Sequence, residues 1–266
     1  MLEKSKIFNL IAISLMLLFV GCASVSVNTY QDGKPLGKGK VRVGLGAEMS
    51  PMMNYGLYGV DPNDFEKFDN IAEGTELEEG QDSTIYYWAL ANLNLQYGLT
   101  DKIDIGVMPF TDLMANFGTK IYAKYAFMPK DSKYQLSVVP YYGFGSFSGE
   151  DTSGASGGSW DMESFAYNTS YFGLDVPFSF TDDMYVTFKV YSDKLDSKFT
   201  YYDKPGKEYT PSLDQRTSFG VAFGADTPGE YGRIELSAMF QKTPNDEWQP
   251  RAYLGYSKFL DFGGSK

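Results

Sequence analysis

The sequence predicts an all-β protein built as one antiparallel transmembrane β-barrel of about ten strands, with twelve as the alternative, and three observations lead there. Apolar and polar residues alternate over stretches of about ten positions, repeatedly, from Lys38 onward. The connections between these stretches alternate between short and long. The composition suits strands and tight turns, with 21 Tyr, 20 Phe and 28 Gly in 266 residues, because aromatic side chains fit a pleated surface and glycine fits the turns that join it.

Taken in chain order, residues 1–21 place Lys4 and Lys6 ahead of an apolar run from Ile7 to Gly21, broken only by Asn9 and Ser14. This is a signal-peptide pattern. At fifteen residues the run is shorter than the roughly 20 that a membrane-spanning helix needs. Residues 22–39 read as an N-terminal linker, 40–262 as the barrel and 263–266 as a tail.

The alternation places strands at 40–49, 86–98, 102–111, 117–128, 133–146, 165–179, 184–194, 216–225, 231–241 and 249–260. The third is the cleanest, with Ile103, Ile105, Val107 and Pro109 on one face and Asp104, Gly106 and Met108 on the other. Met184, Val186, Phe188 and Val190 oppose Tyr185, Thr187, Lys189 and Tyr191 in the same way, and Ile234 to Phe240 repeat the pattern against Arg233, Glu235, Ser237 and Met239. Short turns fall at 99–101, 129–132, 180–183 and 226–230, and long connections at 50–85, 147–164 and 195–215, while 112–116 and 242–248 are shorter members of the long side. A further hairpin within 195–215 would raise the count to twelve.

Several functions are disfavoured by residue type. A formal net charge of −11 without a Lys/Arg cluster argues against nucleic-acid binding. One Cys allows no intramolecular disulfide and no multi-thiolate metal site. The chain has no His, and so lacks the commonest general base, metal ligand and partner of a Ser or Cys nucleophile. No cofactor is expected.

The stretch Leu18-Phe19-Val20-Gly21-Cys22-Ala23-Ser24 resembles the bacterial lipobox, with Phe19 where Leu is usual. Residues 94–109, running from Asn94 through Tyr97-Gly98 to Pro109, resemble the strand-turn-strand of small outer-membrane barrels. Near the end Ala252, Leu254, Tyr256, Leu260 and Phe262 share one parity, which resembles the terminal assembly signal of such barrels, with Lys258 interrupting it and a short tail following. The chain thus resembles bacterial outer-membrane β-barrel lipoproteins. The resemblance implies cleavage between Gly21 and Cys22 and acylation of Cys22, of the palmitate type. Ala23 and Ser24, with no Asp after the Cys, imply sorting to the outer membrane. It further implies lipid, the lipoprotein-sorting machinery and the barrel-assembly machinery as partners, and long loops that face the cell exterior. Both chain ends would then lie on the periplasmic side, agreeing with an N-terminal lipid in the inner leaflet.

Aromatic residues near the short-turn ends, Tyr97, Phe127, Tyr134, Phe178, Phe180, Tyr185, Tyr231 and Phe259, read as a headgroup girdle. Parity points Arg42, Glu48, Asp104, Lys120, Lys124, Lys189, Arg233, Glu235 and Arg251 into the lumen, along with Tyr122, Tyr141, Tyr185, Tyr191 and Tyr253. These charges either conduct ions or pair across the lumen and plug it, and pairing is expected in a barrel whose size is close to the side-chain-filled limit. Nine carboxylates between Asp61 and Asp82 stand against Lys67 alone. They form a solvated acidic loop or a divalent-cation site at the cell surface. An EF-hand register from Asp61 fails at Phe65, Glu66 and Ala72. The Gly/Ser run 151–159 lacks the Lys of a phosphate-binding loop and reads as a loop tip. The expected function is non-enzymatic: a structural, surface-interaction or minor-pore role. The alternatives are adhesion through the long loops, 50–85 and 195–215 (the latter carrying Tyr201 to Pro205), or a lipid or glycan hydrolase working without His.

Overall fold

The computed structural model describes residues 26–51, 87–111, 116–129, 131–150, 162–201, 208–209, 212–227, 232–242 and 248–262. The expected sites at Gly21, Cys22, 61–82, 151–159 and 202–205 lie outside these residues, as does Tyr231.

Ten long strands close into one antiparallel barrel. They are β1 (Val41–Pro51), β2 (Tyr87–Gly98), β3 (Ile103–Thr111), β4 (Asn116–Ala126), β5 (Gln135–Glu150), β6 (Met162–Ser179), β7 (Met184–Tyr201), β9 (Ser212–Asp226), β10 (Arg233–Lys242) and β11 (Trp248–Phe262). The two-residue β8 (Glu208–Tyr209) pairs with β7 alone and stays outside the ring. Each strand of the ring pairs with its sequence neighbour, and β1 closes on β11 with Val41 opposite Phe262. The count is therefore ten. Among the described residues, 195–215 adds no further strand to the wall: β7 and β9 continue their own ladder through a bulge at Asp193/Leu195, with Leu195 opposite Leu213 and Asp196 opposite Ser212.

The alternation read from the sequence is the inside-outside alternation of the wall. Along β10 and β11 inward residues are buried and outward ones exposed at every step from Arg233 to Phe240 and from Arg251 to Lys258. Outside stands a continuous apolar surface that includes Leu45, Ile121, Phe144, Phe188, Phe223, Leu236 and Leu260, each more than half exposed. A water-soluble monomer rarely exposes so much contiguous apolar area. Towards the short turns the belt ends in aromatic side chains, where Tyr134 stacks on Phe178 at 6.0 Å. At the opposite end Phe219 meets Trp248 edge-on at 5.0 Å. Two residues of the expected girdle belong elsewhere. Tyr185 is 1 % exposed inside the barrel, and Phe259 takes the inward parity, with the guanidinium groups of Arg42 and Arg233 over its ring. Both lie near strand ends, and proximity to an end does not decide which face a residue takes.

Apart from the register shifts at Met162/Ser164 and Asp193/Leu195, the ladder of the described residues opens at three places, and each contains a proline. The register skips Leu93–Asn94 against Met108–Pro109, Ala123–Lys124 against Val139–Pro140, and Ser137–Val138 against Val176–Pro177. Proline has no N–H to donate, so local loss of pairing is its expected effect in a strand.

The expected linker, 22–39, has more structure than its sequence suggests: of its described residues, 26–36 run inside the barrel, where Ser26 to Asp32 are all buried. The chain enters β1 through a tight reversal at the short-turn rim, with Gly37 and Gly39 at φ 95° and 75°, values that favour glycine. Gly39 N donates to Gly98 O at 2.7 Å and Gly98 N to Lys40 O at 2.9 Å, which fixes this reversal to the end of β2. Upstream of it the chain folds back into the lumen.

Candidate functional site

The only extended internal feature among the described residues is this chain-filled lumen. An irregular backbone inside a barrel has no ladder to join, and each unpaired buried N–H or C=O would cost free energy. The inward charges of the wall supply the missing partners.

At the top of the segment, Glu48 Oε1 accepts from Val27 N at 3.0 Å and Asn28 N at 3.4 Å, while its Oε2 accepts from Ser26 Oγ at 2.7 Å. Lys120 Nζ donates to Ser26 O at 2.9 Å and Asn28 O at 2.8 Å. Lys189 Nζ donates to Val27 O at 3.2 Å and pairs with Asp175 at 2.8 Å and Glu235 at 3.0 Å. Tyr185 Oη donates to Glu235 Oε2 at 2.6 Å. Ser237 Oγ donates to Asn28 Oδ1 at 2.7 Å, and Thr29 Oγ1 to Asp175 Oδ2 at 2.7 Å.

Further down, Arg233 holds two parts of the segment, donating from Nη1 to Tyr30 O at 3.0 Å and from Nη2 to Asp32 Oδ2 at 2.9 Å. Its Nε also meets Asp226 at 2.6 Å. Lys124 Nζ reaches Asp32 Oδ1 at 3.1 Å and the carbonyl of Lys34. Asp104 accepts from Leu36 N, its nearer oxygen at 3.0 Å, and from Gln96 Nε2 at 2.9 Å. Ser179 Oγ accepts from Gly33 N at 2.9 Å. At the rim Lys34 Nζ binds Asp182 at 2.7 Å in the turn before β7, and the Lys34 ammonium so placed holds that exposed carboxyl below its usual range.

Tyr30 sits at the middle with φ 54°, a left-handed value that a bulky residue adopts only when its surroundings enforce it. The surroundings do so here: Tyr30 Oη donates to Ala47 O at 3.3 Å and accepts from Asn92 Nδ2 at 3.3 Å. Gly255 lies beneath the ring, where an added Cβ would come 2.4 Å from the Tyr30 hydroxyl.

The expected lumen residues therefore divide into three groups. Glu48, Asp104, Lys120, Lys124, Lys189 and Arg233 meet the N-terminal segment directly, and Glu235 meets it through Lys189. Arg42 lies at the rim and binds Asp261 with two nitrogens, at 2.7 and 2.8 Å. Arg251 is buried and inward, towards the other end. The charges do not simply pair across an empty bore, because a length of chain lies between them. Asp175, outside the expected lumen set, takes the inward parity of the expected strand 165–179 and is fully buried beside Lys189. Asp32 carries no periodic signal. Above the segment a tyrosine group completes the filling: Tyr141 and Tyr171 meet edge-on at 6.2 Å, and the Tyr191 and Tyr253 hydroxyls lie 3.1 Å apart.

No family model matches this chain, and no curated protein matches it. Among solved structures it is similar to Ail, the attachment invasion locus protein of Yersinia pestis, at 11 % identity and TM-score 0.38, covering 85 % of this chain and 99 % of that one. It is also similar to OprB of Pseudomonas putida, at 12 % identity and TM-score 0.21, with 82 % and 70 % covered. The outer membrane channel DcaP of Acinetobacter baumannii matches at 9 % identity and TM-score 0.20, with 84 % and 96 % covered. Values this low carry no argument about function.

Proposed function

We propose that the chain is a bacterial outer-membrane β-barrel, acylated at Cys22, whose bore is closed by its own residues 26–36 and whose role is a non-enzymatic one at the cell surface. The observation that carries the closed reading is the set of wall charges bound to the backbone of that segment, above all Lys120, Glu48 and Arg233. Charges that line a conducting pore face water, whereas these are spent on a fixed occupant. The membrane reading rests on the apolar exterior between two aromatic bands, which suits hydrocarbon flanked by headgroups. Lipid attachment rests on the lipobox resemblance at Gly21-Cys22. With the bore filled, a structural or surface-interaction role at the long-connection end is favoured over a minor pore.

Planar-bilayer recordings test the closed reading. The full mature protein gives no long-lived conductance steps, and a variant lacking residues 26–36 gives steady ones, with a shift in gel migration on boiling used to confirm that each barrel is folded. Large, long-lived steps from the unaltered protein would overturn it.

A further inference from the structure

The internal segment has a direction. Leu36 is held by Asp104, the second residue of β3 and the last ladder partner of β2 at the short-turn rim, and Asp32 by Arg233, the first residue of β10. Asn28 then meets Ser237, four residues further along β10, and Ser26 meets Glu48, only three residues from the long-connection end of β1. Read backwards, the chain climbs from the short turns towards the long connections without reversing. Both chain ends are expected on the short-turn side; the start of β1 and the end of β11 lie there, whereas Ser26 lies beside Glu48, near the long-connection end.

We infer that the N-terminus of the mature protein leaves the barrel at the long-connection end, so that a group attached at Cys22 lies on the same side as the long connections. Chain length decides this. Cys22 stands four positions before Ser26, a reach of at most about 14 Å. From Glu48 to Pro51 is three residues, about 10 Å along the strand and less along a tilted barrel axis. From Glu48 down to Val41 is seven residues, about 23 Å along the strand and roughly 17 Å along the axis, through a bore already occupied by the segment itself. The upper rim is within reach and the lower rim is not. A closed wall offers no lateral exit. Acylation of Cys22, taken from the proposed function, then has a definite consequence: the acyl chains enter the leaflet at the long-connection rim. An anchor in the opposite leaflet and a seated segment exclude one another.

The experiment uses the full chain in cells, with a short epitope placed after Ala23, or within the connection 52–86 after Asn70, or in the turn after Asp182. Each protein also carries Asn28→Cys and Ser237→Cys, whose disulfide reports a seated segment and is mapped by mass spectrometry. Antibody binding to intact and permeabilised cells is compared. The epitope after Ala23 follows the one after Asn70, and both differ at least tenfold from the one after Asp182. If it instead follows the epitope after Asp182, or if folded barrels form no 28–237 disulfide, the inference is overturned. Mass spectrometry of the N-terminal peptide reads acylation separately, and the Asn70 epitope alone reads which rim faces outward. Failure of the proposed function is thus distinguishable from failure of the exit.

Discussion

Tyr185 on β7 stands directly opposite Gly224 on β9, and its ring fills the space a side chain at 224 would need: a Cβ there would lie 1.8 Å from Tyr185 Cζ. The same pairing recurs for Tyr122 with Gly106, Tyr171 with Gly143 and Tyr141 with Gly173, each glycine being the ladder partner of its tyrosine. Inward glycine is how a narrow bore admits large rings beside a threaded chain. Replacing Gly224 by Val displaces Tyr185 from Glu235 and, through Lys189, disturbs the segment. Overpacking of this kind costs about 1–3 kcal/mol. Gly224→Val lowers the unfolding midpoint of the purified barrel, read by the gel shift on heating, while Ala225→Val on the outer face leaves it unchanged.

Asp32 and Arg233 form a buried pair at 2.9 Å with side-chain exposures of 10 % and 6 %. Removing one partner leaves the other with a single counter-charge, Lys124 for Asp32 and Asp226 for Arg233, so the cost stays below the roughly 3–5 kcal/mol of a fully stranded buried charge. Arg233→Met therefore destabilises more than the double change Asp32→Asn with Arg233→Met. The double-mutant cycle, measured by urea unfolding in detergent, gives a coupling of at least about 1 kcal/mol. Additive effects would show that the pair does not seat the segment.

Glu48 accepts two backbone N–H groups and one hydroxyl from residues 26–28. Glu48→Ala removes the acceptor without removing the wall. Hydrogen exchange at Val27 and Asn28 rises at least tenfold, and brief conductance openings replace silence in bilayers. Unchanged exchange would mean that Lys120 and Lys189 hold this end alone.

Cys22→Ser abolishes the thiol that lipoprotein processing acylates. The variant accumulates as an uncleaved, unacylated precursor, read as an intact mass that retains residues 1–21. Normal cleavage in this variant would remove the lipoprotein reading and leave the barrel untouched.

The wall was legible in the sequence because its period is two. Alternation assigned Asp104, Lys189 and Arg233 to the lumen as directly as it assigned Ile105, Phe188 and Ile234 to the exterior, and the short turns marked one end. Residues 26–36 have no period, since an irregular chain inside a bore is held by partners distant in sequence: Thr29 and Asp175 are 146 positions apart. Two local signals were present. Gly37-Lys38-Gly39 after Pro35 announces a reversal just ahead of β1, and a bore of this size has little water to solvate so many inward charges. Tyr185 and Phe259 show the limit of reading by position along a strand, because nearness to an end does not decide between lumen and lipid.

The grip of β10 on residues 28–32, through Arg233 and Ser237, bears on the order of events in biogenesis. Residues 26–36 are synthesised before any strand, whereas β10 and β11 come last and β11 makes the final seam with β1. A cylinder that sealed first would have to be entered afterwards by a chain whose charged partners were already desolvated. A sheet still open at that seam lets the strand-free segment lie down on Asp104, Lys120 and Lys124 early, and the late strands then wrap it. On that order the segment would serve as a former around which the cylinder is rolled, and a variant lacking residues 26–36 is expected to close the β1–β11 seam more slowly, read as a later appearance of the heat-shifted band, even where the finished barrel remains stable.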